Sequence, residues 1–519
     1  MEYRSLSFHE SWPDPRMIRR GAELGFNDVC LQTERGLLKR IRDVRARLER
    51  SGTFELIKSL GMTVSLWVHE FADYDDEWGE PSVDNEVLWQ AVADRYDSIL
   101  TELFPWVDNL VLTVVETQKK ATDTPILKKL TETIKARCEA HGRRLILRSF
   151  VHHPDEFSDV CAAIAALPDD LTIMTKSVPQ DWHMRSIDDP LIGKVAPKPQ
   201  FIEVDIAGEY FRMDHVANCF TDVLERQFKY WQESGCSGIS VRVDRGWKPW
   251  ERLNTIYARP QEVNLWALAY LADNKPGGVD AAWRDYCTHY FGEAAAEYVE
   301  AALQTTGNVV AEGLYVMDEP FGESKYQYHN PLLRLPKDEA AVAYDDDDDK
   351  LRRNPFHMAW AVFRWDAGHV AEYQRIRRGD PEIIRRKTAA YEQAARQAAV
   401  SLAELDKAEK ALTPEACRYL RFLLEENLFQ LDLYCAFQLA WLKLSCVLYG
   451  LDAGNAAGLR DEAIAHLADV AGLQERCRVE TLVVEWQGEV LRLMRGQYVD
   501  IDAFMAEFMR YWGPIINQE

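Results

Sequence analysis

Cysteine pairs at CxxC or zinc-type spacing are missing, although the chain has ten scattered cysteines. That pattern excludes a zinc-ribbon framework and points to reduced thiols in a cytoplasmic protein. Neither a structural metal nor a cofactor is expected. Positive charge is also scarce: 61 Lys and Arg stand against 84 Asp and Glu, a formal net charge of −23. This disfavours nucleic acid and anionic membrane surfaces as partners, because both would be repelled at long range. An anionic substrate must therefore be met by a local cluster of cations. The opening stretch "MEYRSLSFHESWPDP" has no basic region followed by an apolar core, so no signal peptide is expected. Long hydrophobic runs are few. The longest, "CAFQLAWLKLSCVLYGL", carries Gln438 and Lys443 and fits a buried helix better than a membrane span. No repeat of fixed period is present, which argues against a solenoid.

What the chain does have is enough apolar material for large cores, 47% hydrophobic and 11% aromatic over 519 residues. Two large domains fit that length, since an α/β barrel uses about 250 residues as one domain. Eight β-rich runs occur before residue 290: "YRSLSF" from Tyr3, "NDVCLQ" from Asn27, "MTVSLWV" from Met62, "NLVLTVV" from Asn109, "RLILRSF" from Arg144, "LTIMT" from Leu171, "QFIEVDI" from Gln200 and "GISVRV" from Gly238. Amphipathic helical patterns separate most of them, as in "ILKKLTETIKARCEAHG". Eight strand-helix units predict an α/β fold, a (β/α)8 TIM barrel over residues 1–290, with an open doubly wound sheet as the rival. After Phe291 the pattern turns helical, predicting an all-α C-terminal domain over 291–519 that includes a loop segment at about 313–354. Within it, Asp345 to Asp349 followed by Lys350 reads as a solvated acidic loop.

Catalytic groups of a barrel lie at the C-terminal ends of its strands. Those ends are ionic here. They hold His9 and Glu10, His69 and Glu70, Glu116, Arg148 followed by His152 and His153, Lys176 with Asp181 beyond it, Asp205 and Glu209, and Arg242, Asp244 and Arg245. Converging carboxylates suit glycoside chemistry, in which one acid protonates the leaving oxygen while another carboxylate acts on the anomeric carbon or on water. Trp67, Trp78, Trp182, Trp247 and Trp250 lie near the same ends and offer flat faces for sugar rings. Loop carboxylates also cap helices, but Glu116 follows "VLTVV" without cap spacing, and a desolvated setting would suit a general acid. Adjacent His152 and His153 do not converge as metal ligands would, so a loop role is the simpler reading.

Several segments, taken in order, resemble the family-67 glycoside hydrolases, the α-glucuronidases. "KSVPQDW" is similar to the family's K-N-G-P-I-D-F motif, and Asp181 precedes Glu209 in "GEY" by 28 positions (209 − 181), as the family's aspartate precedes the glutamate of its Q-E-Y motif. Between them "MRSI" and "DPLIG" resemble the V-R-E-P and S-P-L-x-G segments. The stretch "VDNEVLWQAVADRYDSILTELFPWVDNLVLTVVET" leads to Glu116 as the D-P-x-V-x-x-W helix and its following strand lead to the family's acid. "LRSFV" is similar to W-R-A-F-V, and "DRGW" and "NLWALAYLA" to segments after the eighth strand. The likeness spans roughly residues 15 to 290.

The resemblance implies an inverting, exo-acting enzyme that releases a uronic acid, with Glu116 as general acid and Asp181 and Glu209 sharing the general-base role. Arg148 and Lys176 match the family's ligands for the uronate carboxylate. His69, Glu70, Trp182, Arg185, Asp244 and Trp247 complete the expected substrate site, and a homodimer is expected. The family's additional N-terminal α/β domain is expected to be lacking, and "TQKKATDTP" replaces the glycine-rich segment after the acid, which leaves the aglycone open. A hexosaminidase-like site would place an aspartate before the acid, where Val115 stands. A retaining glycosidase and a non-catalytic carbohydrate-binding protein are the remaining alternatives.

Overall fold

The computed structural model describes residues 1–8, 13–33, 37–71, 74–114, 119, 121, 123–150, 154–179, 184–185, 188–207, 216–244, 255–320, 367–496 and 501–517. Eight parallel strands close into a barrel in sequence order. They are β1 (Tyr3–Phe8), β2 (Asp28–Thr33), β3 (Thr63–His69), β4 (Asn109–Thr113), β5 (Arg144–Arg148), β6 (Thr172–Lys176), β7 (Gln200–Asp205) and β8 (Gly238–Arg242). The ring is sealed where Tyr3 to Ser7 pair with Gly238 to Arg242. Every β-rich run therefore forms a strand. Helices fill the outside: α1 (Pro15–Glu23), α2 (Leu37–Ser51), α3 (Thr53–Ser59), α4 (Glu86–Ser98), α5 (Thr124–Ala140), α6 (Pro154–Ala166), α7 (Thr221–Glu233) and α8 (Glu262–Ala272). Local chemistry sets their starts. Asp14 caps α1 just before Pro15, Asn85 accepts from the Leu88 amide at α4, and Asp123 caps α5 before Pro125. Between β6 and β7 the described residues form turns and no helix.

Side chains alternate across the barrel wall. Tyr3, Cys30, Trp67, Val111, Ile146, Met174 and Phe201 form an interior apolar layer, while their strand neighbours pack outward against the helices. Tyr3 and Phe201 stack with centroids 4.4 Å apart, and a Cβ at Gly238 would sit 2.6 Å from the Phe201 ring. Only glycine fits there. Below this layer the buried carboxylate of Asp28 accepts from Tyr3 Oη at 2.9 Å, Ser5 Oγ at 2.6 Å, Thr63 Oγ1 at 2.6 Å and Ser65 Oγ at 2.9 Å, a polar stitch across the N-terminal end. The apolar layer and this stitch fill the bottom of the barrel, which leaves chemistry to the top.

Among the described residues the helical C-terminal region holds α9 (Gly278–Phe291), α10 (Glu293–Leu303), α11 (Thr306–Leu314), α12 (Ala367–Arg377), α13 (Pro381–Ala408), α14 (Pro414–Leu448), α15 (Ala456–Val479) and α16 (Ile501–Ile516). The longest apolar run lies in α14, where 83% of the most apolar 18-residue window is buried, so it acts as a core helix. One departure from the all-helical expectation is a hairpin, β11 (Thr481–Trp486) with β12 (Glu489–Met494), beside a smaller pair, β9 (Tyr315–Val316) with β10 (Glu319–Pro320). Period-two alternation in "TLVVEW" and "EVLRLM" accounts for the larger hairpin: Val484, Trp486, Leu491 and Leu493 are buried while Val483, Glu485, Val490 and Arg492 are exposed. Most of the 313–354 loop segment, including Asp345 to Lys350, lies outside the described residues.

Barrel and helices share one continuous core. Asn427 of α14 clasps the backbone of Ala217 with both side-chain atoms, at 2.9 and 2.6 Å. One residue earlier, Glu426 accepts from Arg495 at 3.3 Å and from the Gly496 amide at 3.1 Å, tying the hairpin to α14. Burial pushes the Glu426 carboxyl up to about 7, against Gln430, Arg495 and the Gly496 amide, which all favour the ionised form. The folded value lies above the unfolded one of about 4.3, so between the two the folded state holds a proton that the unfolded state has lost. Stability from this group therefore falls as pH rises through that window. The stability advantage of wild type over Glu426→Gln should shrink between pH 5 and pH 8 in urea titrations. A constant difference would show that the carboxyl is ionised throughout.

Candidate active site

Above the apolar layer, the inward-facing positions change character. Two residues on from Ile146, Met174 and Phe201 stand Arg148, Lys176 and Glu203, and two further along β7 and level with Arg242 stands Asp205. All are buried. The strand period that makes the floor apolar thus makes the next layer ionic, and buried charges must pair. The Arg148 guanidinium donates from Nε and Nη2 to the two oxygens of Glu203, the second bond being 3.1 Å. Its carbon lies 4.4 Å from the centroids of both the Trp67 and Phe150 rings. Lys176 Nζ lies 4.2 Å from the Phe150 ring centroid. Arg242 Nη1 is 3.7 Å from Asp205 Oδ2, while Asp205 Oδ1 accepts from the Ala207 amide at 2.7 Å. Asp244 follows, fully buried and bridged to Thr255.

Of the predicted substrate-site residues, Arg148, Lys176, His69 and Asp244 are brought together at this C-terminal end. His69 lies on the interior side of β3, its ring 6.0 Å from that of Trp67. Glu70 is not brought there. As the next residue it faces the opposite way, and its carboxylate accepts from Arg95 Nη1 at 2.8 Å and Tyr96 Oη at 2.6 Å, anchoring α4. Arg185 is also turned elsewhere: it donates to Met317 O at 2.7 Å and pairs with Glu312 of α11. Trp67 is covered by Arg148 within the barrel and is part of its floor, not a stacking platform. Glu116, Asp181, Trp182, Glu209 and Trp247 lie outside the described residues, as do His9, Glu10, His152, His153, Arg245 and Trp250. The strands before the three expected carboxylates end at Thr113, Lys176 and Asp205.

Glu203 is the group that sequence reasoning missed. The signal was available: in "QFIEVDI" it is a carboxylate in mid-strand, in phase with Phe201 before it and Asp205 after it and flanked by Ile202 and Val204. A buried parallel strand tolerates such a charge only with a partner. Asp189, in the β6–β7 connection, is a second unforeseen group. Burial pushes its carboxyl up to about 7, against the Leu191 amide, Lys176 and Lys194, which all favour the ionised form.

A closed barrel whose C-terminal mouth gathers cations and carboxylates, backed by a helical region, has the build of a barrel enzyme. More narrowly, its fold is glycoside-hydrolase-like. The chain is similar to a GH138 enzyme targeting pectin rhamnogalacturonan II, with TM-score 0.60 and 11% identity over 92% of this chain and 62% of that one. It thus spans less than two thirds of that enzyme's length. A family GH115 4-O-methyl-α-glucuronidase with specificity for decorated arabinogalactans aligns with TM-score 0.45 and 12% identity over 92% of this chain and 58% of that one. No family model and no curated protein matches the chain.

Proposed function

We propose that the chain is a glycoside hydrolase that releases a uronic acid from an oligosaccharide or glycoside, acting at the chain end with inversion, as an α-glucuronidase does. The observation that supports it most is the buried ionic layer at the barrel mouth, where Arg148 and Lys176 stand among Glu203, Asp205 and Arg242. An acidic protein needs such a local set of donors to hold an anionic sugar. In this reading Glu116 protonates the leaving oxygen. Asp181 and Glu209, on the segments after β6 and β7, activate the attacking water. An inverting pair needs about 6.5–9.5 Å between acid and base carboxyls to admit that water, a span suited to groups from different strands of one mouth. His69 and Asp244 line the sugar site, with Trp182 and Trp247 as its stacking faces. The reading extends to a cytoplasmic homodimer. Ten free cysteines support the compartment, and the exposed Val483, Val490 and Met494 of the hairpin support a self-contact.

The test is a screen of aryl uronides of gluco and galacto configuration, with proton NMR following the anomer first released. A β-uronic acid is expected from an α-uronide. An α product first would exclude inversion, and no release from any uronide beside turnover of neutral glycosides would move the enzyme to another sugar.

A further inference from the structure

Arg148 is held more tightly than its ion pair alone requires. A guanidinium has five N–H donors in a plane, and Glu203 takes the Nε donor and one on Nη2. The rings of Trp67 and Phe150 each lie 4.4 Å from the guanidinium carbon, leaving little room to tilt. Trp67 cannot yield easily, since its Nε1 donates to Thr113 Oγ1 at 2.8 Å inside the barrel. The donors left over are the two on Nη1 and the second on Nη2, with one from each nitrogen forming the end edge of the fork. Among the described residues no acceptor takes them.

We propose that Glu203 is a positioning residue that makes Arg148 a one-edged receptor for the carboxylate of an acidic sugar. The inference rests on the uronide reading of this site. It also separates two physical origins of acid specificity. Glu203 neutralises Arg148, so an incoming carboxylate meets little bare charge; what selects it is a fixed fork that matches two oxygens. If attraction by charge were the whole effect, removing the negative charge of Glu203 would strengthen uronate recognition. If orientation is the effect, the same change weakens it.

The experiment compares kcat/KM for an aryl uronide with that for the matching neutral aryl glycoside, in wild type, Glu203→Gln and Glu203→Asp, with circular dichroism and melting as controls of folding. Uronide preference should fall about tenfold or more in Glu203→Gln, roughly the worth of one charge-assisted hydrogen bond, mainly through KM. Binding of the free uronic acid by calorimetry should weaken in parallel. Glu203→Asp keeps the charge but loses the reach, so it should lose preference as well and carries the test if the glutamine variant does not fold. Unchanged or increased preference in the folded variants overturns the proposal. Absence of uronide preference in wild type itself overturns the site reading, and the inference with it, before any variant is made.

Discussion

Replacing Glu116 by glutamine is expected to lower kcat for an oligosaccharide uronide by about 10²–10⁴-fold, the usual worth of a positioned general acid. Glutamine keeps the size and hydrogen-bonding reach of the side chain but has no proton to give. Sugar binding should therefore survive, and the bond to the departing oxygen should become the obstacle. That gives the result a signature beyond mere loss. A uronide with an activated phenol departs without help, so its turnover in Glu116→Gln should fall far less than that of the oligosaccharide. Equal losses on both substrates would point to damaged binding. Unchanged turnover on both would remove Glu116 as the acid and move the search to the ionic layer itself, where Glu203, Asp205 and Asp244 are carboxylates among the described residues.

The barrel was legible because its strands are buried on both faces. A parallel strand between floor and helices must be mostly apolar, and "NLVLTVV" and "LTIMT" announce that without any partner being known. The expectation of eight strand-helix units did not foresee the helix-free β6–β7 connection, although Pro179, Pro190, Pro197 and Pro199 punctuate it too densely for a helix. The hairpin at residues 481–494 was missed although its signals are present. Alternation and a Gln-Gly turn, with φ of 49° at Gln487 and 79° at Gly488, mark it, but flanking helical patterns masked so short a pair. In the site, strand parity decides what proximity in sequence cannot. His69 and Glu70 are neighbours at one strand end, yet one faces the barrel interior and the other anchors a helix. Arg185 could not be placed at all from local sequence, because its ionic partner, Glu312, is 127 residues away.

That distant pairing leads to the second large effect. Lys387→Met is expected to destabilise the protein by about 2–4 kcal/mol, because it orphans buried acceptors and removes one of two cations from a buried carboxylate. Lys387 projects from α13 and is wholly buried. Its ammonium donates to the carbonyls of Glu312 and of Tyr315, the latter at 2.7 Å, just where α11 ends and a cation is favoured by the helix dipole. It also lies 3.7 Å from the Glu312 carboxylate, which Arg185 grips from the other side. From there the chain of contacts reaches the barrel. Tyr315 Oη accepts the Met184 amide at 2.9 Å, and Met317, whose φ of 57° is held in the left-handed region, presents its carbonyl to Arg185 at 2.7 Å. Methionine fills the space of the lysine stem without its donors, so the cost should come from polar groups and not from a cavity. Urea unfolding measures that cost. Hydrogen exchange should show the Met184 amide losing protection in the variant under native conditions, since its acceptor is no longer fixed from behind. A stability change below about 0.5 kcal/mol, the scale of an ordinary surface substitution, would mean that α13 does not brace this segment. Asp181 lies only three residues before Met184, so under the proposed mechanism kcat should fall together with that protection.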